Sequence, residues 1–119
     1  MHPFILRSLF WLTILLITCL ALWPLEAPPL TESHADKINH LAAFVALAVL
    51  LRVAYRLSLQ QTALLLLGYG LLIELAQAMI PFRMFSLLDF AADGAGILLG
   101  SLLFVIGDAL FGRRRIKIY

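Results

Sequence analysis

Glu74, Gln77, Arg83, Ser86, Asp89 and Asp93 fall within twenty residues of an otherwise apolar stretch, IELAQAMIPFRMFSLLDFAADGAGILLG. A carboxylate at the centre of a lipid-buried helix costs about 2.5–3.5 kcal/mol on insertion scales, so such groups face a protein interior or a watery cavity and mark a functional site. Ionised carboxylates accept hydrogen bonds from hydroxyls and amines, and a guanidinium grips phosphate or carboxylate through two parallel bonds. Two carboxylates brought together in a low dielectric share a proton, and Glu74 with Asp93 is the pair placed to do so. A second polar group, Asp36, Lys37 and His40, stands at the start of an earlier apolar stretch. The candidate ligand-binding set is therefore Asp36, Lys37, His40, Glu74, Gln77, Arg83, Ser86, Asp89 and Asp93.

Helical periodicity places these residues on faces. Asp89, Asp93, Gly96 and Gly100 recur at intervals of four, three and four, one side of a helix, and Gly96-x3-Gly100 admits close approach of a second helix there. Asp36, His40 and Phe44 are spaced by four. Glu74 and Gln77 share a face, and Pro81 ends their helix.

The elements that must carry these faces follow from composition. The chain has 119 residues, 63% hydrophobic and 13% charged, with mean hydropathy +1.00. It lacks the polar residues to coat a soluble core of this size. The reading is an all-α integral membrane bundle, one domain over residues 1–119. Crossing about 30 Å of hydrocarbon takes ~20 helical residues. Four spans meet that length, at about 4–23, 38–57, 62–80 and 87–111. Pro24, Pro28 and Pro29 break the chain between the first two. The links SLQQ and PFRMFS are short, which makes spans two, three and four antiparallel neighbours. The first span reads as a retained anchor, since Trp23, Pro24 and Glu26 stand where a signal-peptide cleavage site would need small residues. Cys19 is the single cysteine, so an intrachain disulfide is excluded.

Basic residues set the expected orientation. Arg7, Arg52, Arg56, Arg113, Arg114, Arg115 and Lys117 fall on one side of the four-span arrangement, and only Lys37 and Arg83 on the other. The positive-inside rule then puts both termini in the cytoplasm and the polar cluster on the outer side. Glu74 and Asp93 each lie six residues inside the outer ends of their spans, roughly 9 Å deep at helical rise. The net charge of +2, with the basic residues mostly at helix ends, gives no footprint for nucleic acid. Membrane lipids are the default partners, and self-association into a homo-oligomer is left open.

The ordered set Asp36-Lys37-x-x-His40-x3-Phe44, Glu74-x-x-Gln77-x3-Pro81-x-Arg83-x-x-Ser86-x-x-Asp89, then Gly96 and Gly100, resembles the pattern of VanZ-like proteins. The likeness covers Asp36 to Gly100. Two positions depart from it: the family commonly has Pro-Gly-Arg where this chain has Pro81-Phe82-Arg83, and Asn where this chain has Asp93. The family is named for a protein linked to reduced teicoplanin susceptibility. The resemblance implies a small protein of the bacterial cytoplasmic (inner) membrane, concerned with the cell envelope and with glycopeptide antibiotic resistance. It supplies no reaction.

Four functions compete for the cluster. In the first, a cell-envelope binding or resistance factor grips an anionic lipid-linked precursor, a glycopeptide-type ligand or another peptide. Arg83 and Lys37 hold its phosphate or carboxylate, and the acidic residues accept from its hydroxyls or amines. In the second, a small proton-coupled exporter works as an oligomer, with Glu74 or Asp93 trading a proton for a cation. Its weakness is that the first span carries no carboxylate. Enzymatic readings are thinner. An intramembrane aspartyl protease needs opposed aspartates and a Gly-x-Gly-Asp motif, which is absent, and a lipid phosphatase needs Arg and His motifs that are not here. Asp36, His40, Glu74 and Asp89 have the geometry for a metal, yet one histidine and no HExxH pair argue against zinc, and no cofactor is expected.

Against all of these stands a purely structural network. Interhelical hydrogen bonds in membranes contribute only about 0.6–2 kcal/mol each, poor recompense for buried charge. Trp11 and Trp23 read as packing or interface anchors. Asp108 is placed to pair with the basic tail RRRIKIY, itself first a topology signal.

Overall fold

A computed structural model describes residues 2–24, 34–82 and 86–111, with the side chains of residues 34–36 excepted. These residues form four helices: α1 (Pro3–Ala21), α2 (His34–Tyr55), α3 (Leu59–Ala78) and α4 (Leu87–Phe111). Each is long and apolar enough to cross a membrane. The expected spans agree with them to within a few residues at each end.

Local chemistry explains the boundaries. His2 caps α1 through its ring nitrogen, with Pro3 in the first turn where a missing N–H costs nothing. Ser58 and Gln61 form a reciprocal capping box that starts α3 immediately after α2 has ended. Arg56, at φ 55°, makes the turn between them. Ser86 caps α4: its Oγ accepts from Asp89 N–H at 3.2 Å. The third helix stops at Met79, two residues before Pro81.

Packing departs from chain order. The tightest pair is α2 with α4, which are not consecutive, while α2 and α3 touch only lightly. Glycine is the cause. A Cβ at Gly96 would lie 2.6 Å from the Leu41 carbonyl oxygen, and one at Gly100 would lie 2.6 Å from that of Val45. The two backbones are in contact, which only glycine permits. Gly96 meets Leu41 and Gly100 meets Val45, so the two helices run the same way. The SLQQ link therefore reverses the chain without making α2 and α3 intimate neighbours. Phe44, Leu47, Ala48, Leu51, Leu66 and Ile97 fill the core, joined by Phe10 from α1.

The first helix is peripheral. Of its side chains only Phe10 is buried, and Leu12, Leu15, Leu16 and Leu20 are turned outward. In water that face would be costly; in lipid it is at home. Phe10, with Ile14 and Ile17, packs α1 onto the core, and polar contacts add to this: Thr18 Oγ1 to Tyr69 Oη at 2.6 Å, Trp11 Nε1–H to Tyr55 Oη at 2.9 Å, and Arg7 Nε–H to the Ala54 carbonyl at 3.2 Å.

Candidate functional site

The buried stripe of α3 is Thr62, Leu66, Gly70, Ile73, Glu74 and Gln77, a helical repeat whose last turns are polar. That of α4 is Asp93, Gly96, Ile97, Gly100 and Ser101. Since α4 is clamped on α2 by its glycines, Asp93 is delivered beside His40. Glu74 has 0% of its surface exposed and Asp93 1%, so both carboxyl groups lie inside protein rather than against lipid.

His40 is the hub. Its Nδ1 lies 2.8 Å from Asp93 Oδ1, and its Nε2 lies 3.6 Å from Asp89 Oδ2. With Asp93 ionised, and so only accepting, Nδ1 would carry the proton toward it and leave Nε2 to face Asp89. The carboxyl of Asp93 sits over Gly70, where a Cβ would come within 2.6 Å of Oδ2. Gly70 is thus the gap in α3 that admits the aspartate. The sequence reading passed over this residue, although its position one turn before Glu74 on the same face was available as a signal.

Glu74 reaches across to the start of α4. Its Oε2 accepts the Ser86 backbone N–H at 3.0 Å, satisfying one of the orphan donors at that helix end. Asp89 stands in the first turn of α4, where the helix dipole favours negative charge. Neither carboxylate is saturated. Among the described residues, no donor reaches Glu74 Oε1 or Asp89 Oδ1, and both atoms are buried.

The nine expected site residues divide accordingly. His40, Glu74, Asp89 and Asp93 converge, and Ser86 joins them through its backbone and its cap. Gln77 faces another way: its Nε2 donates to the Ala21 carbonyl at 2.9 Å and ties the end of α1 to α3. Lys37 stands one turn before His40 on α2 and is half-buried. Arg83 and the Asp36 side chain lie outside the described residues, as do most of the proline-rich link and the basic tail. The expected sharing of a proton between Glu74 and Asp93 is not the pairing seen: Asp93 bonds to His40 and Glu74 to the Ser86 amide. The interposed imidazole came from α2, whose distance from α4 only the glycine contacts set.

The opposite end of the bundle has a different chemistry. Arg7 lies 4.5 Å from the Tyr55 ring centroid, and Arg52 4.6 Å from that of Phe104 while donating to the Leu57 carbonyl. Trp11 is an anchor there, hydrogen-bonded to Tyr55.

These features define a multi-pass helical membrane protein with a buried histidine–carboxylate cluster at one end. The family model for VanZ/LLP1 matches residues 4–110, nearly the whole chain, and the protein belongs to that family. No curated protein and no solved structure matches it.

Proposed function

We propose that this protein is a cell-envelope factor of the bacterial cytoplasmic membrane that binds the headgroup of a lipid-linked, anionic ligand bearing hydroxyls or amines. The observation carrying this reading is the surplus of buried acceptors: among the described residues no donor reaches Glu74 Oε1 or Asp89 Oδ1, at the helix ends where a headgroup arrives. A buried acceptor without a partner costs about 1–3 kcal/mol, a debt that ligand hydroxyls or amines would cancel. Arg83, in the link between α3 and α4, and Lys37 on α2 supply positive charge for a phosphate or carboxylate of the same ligand. The seven-to-two distribution of basic residues turns this end outward, with both termini inside. Family membership makes an effect on glycopeptide susceptibility part of the same proposal.

The test is purification in native lipid followed by mass spectrometry of what co-purifies. A discrete lipid-linked precursor, lost in Glu74→Gln and Arg83→Gln proteins that still accumulate in the membrane, supports the reading. Variants that retain the lipid and the parental drug susceptibility reject it.

A second reading has its own observation. Asp93 and Glu74 are fully buried in membrane-length helices around a histidine, an arrangement suited to proton relay. An oligomeric proton-coupled exporter would show proton flux in liposomes driven by a cationic drug. The headgroup reading predicts none.

A further inference from the structure

We propose that His40, Glu74 and Asp89 form a binding site for one divalent cation of the Mn²⁺ or Mg²⁺ class. One ligand atom from each residue lies within 4.8 Å of the other two. Six-coordinate Mn²⁺ or Mg²⁺ at about 2.1 Å from oxygen holds neighbouring donors ~3 Å apart and opposite donors ~4.2 Å apart, so side-chain shifts of a few tenths of an ångström up to ~1 Å would bring the three residues onto a single ion. Three further positions then remain for water or a ligand oxygen.

The hydrogen bonds around the cluster point to the same site independently. Glu74 is wholly buried, Oε2 is engaged by the Ser86 amide, and Oε1 has no donor among the described residues. A carboxylate oxygen held in that state needs either a proton or a cation. His40 carries the arrangement that metal-binding histidines adopt: one ring nitrogen donates to a carboxylate, which fixes the tautomer and turns the other nitrogen, as a lone pair, to the metal. Here Nδ1 is 2.8 Å from Asp93, and Nε2 faces Asp89 at 3.6 Å, too long for a hydrogen bond and between the spacings of adjacent and opposite metal donors. Asp93 is thus a positioning residue, seated over Gly70 behind the imidazole.

Donor chemistry selects the ion. Two carboxylates with one imidazole form a mostly hard set, unlike the sulfur- and nitrogen-rich sets of structural zinc, and suit Mn²⁺ or Mg²⁺. The cation also resolves an imbalance, since three acidic side chains around one histidine make a poor host for a phosphate. A bound dication cancels most of the local negative charge and offers open positions to phosphate oxygens. That coupling to a phosphate rests on the function proposed above; the cation site itself does not.

The test uses the full chain, stripped with chelator and placed in nanodiscs of zwitterionic phosphatidylcholine, with Mn²⁺ as the probe. Titration followed by electron paramagnetic resonance should show one saturable site, displaced by excess Mg²⁺. Bound Mn²⁺ should show electron–nuclear coupling to one imidazole nitrogen, a direct readout in the unmodified protein. Glu74→Gln, Asp89→Asn and His40→Gln should each weaken binding at least about tenfold, and His40→Gln should abolish the nitrogen coupling. Asp93→Asn should weaken binding while keeping that coupling, and Asp108→Asn should change neither. Absence of saturable binding below millimolar Mn²⁺, or binding without nitrogen coupling that survives Glu74→Gln, overturns the site. A cation site that forms while no lipid-linked phosphate binds would instead overturn the headgroup reading alone.

Discussion

The two ends of this bundle are built from similar numbers of polar side chains and differ in how those groups are satisfied. At the aromatic end, Arg7 and Arg52 each donate to a backbone carbonyl near the end of α2 and lie over an aromatic ring, while Trp11 bonds to Tyr55. These donors meet acceptors at the rim, and the buried polar atom left without a partner at that end among the described residues is a neutral hydroxyl, Thr62 Oγ1. At the carboxylate end, three acidic side chains surround one histidine and one helix start, and two buried oxygens are left over. The difference is one of charge: at the carboxylate end the unpartnered atoms are carboxylate oxygens, and the proposed ligand and cation rest on them.

Substitutions can break or sharpen that contrast. The largest effect belongs to the seam both ends share. Gly96→Leu drives a side chain into the Leu41 carbonyl and Phe44, and should lower stability by about 3 kcal/mol or more, read as loss of membrane accumulation. Both ends should fail together. If accumulation is normal, the α2–α4 contact is not what delivers Asp93 to His40.

His40→Leu comes next. It leaves the buried Asp93 carboxyl without its partner and should cost about 2–3 kcal/mol, measured as thermal unfolding in detergent micelles. In an Asp93→Asn background the same change should cost clearly less, because the neutral amide needs no partner of that strength. Equal losses in both backgrounds would mean the pair is not coupled.

Trp11→Phe addresses the other end. Losing one hydrogen bond at an exposed site should cost about 1 kcal/mol and leave cation and lipid binding unchanged. A change in binding there would erase the distinction between the ends.

The smallest effect has the opposite sign. Phe82 holds φ 66°, a left-handed conformation costly for a residue with a Cβ, at the position where VanZ-like proteins commonly have glycine. Phe82→Gly should raise stability by about 0.5–1 kcal/mol, net of the added freedom of the unfolded chain. It should not alter the aromatic end.

Much of the fold was legible in the sequence because lipid imposes length and polarity limits that local composition reports directly. Four spans, the proline that ends α3 and the Gly96-x3-Gly100 face all follow from runs and spacings within one helix. The carboxylates that converge, Glu74, Asp89 and Asp93, were legible for the same reason: acidic residues inside apolar runs are conspicuous. Its internal pairing was not. Glu74 and Asp93 have similar depth on consecutive helices, which favours a carboxylate pair, and nothing local says that an imidazole from α2 stands beside Asp93. Gln77 shows the same limit, since its helical face is shared with Glu74 while its partner is a carbonyl of α1.

Span number, candidate residues and the asymmetry of basic charge were determined by the sequence itself, since each depends on residue type and on distance along the chain. Which helices touch, and which nitrogen faces which oxygen, was decided only in the tertiary structure. Helix contact in a membrane turns on the ångström-scale fit of small residues rather than on hydrophobicity, which every face of these helices already has. Gly96 and Gly100 let α4 settle on α2, Gly70 makes room for the aspartate, and from those approaches come the His40–Asp93 bond and the two oxygens left waiting beside it.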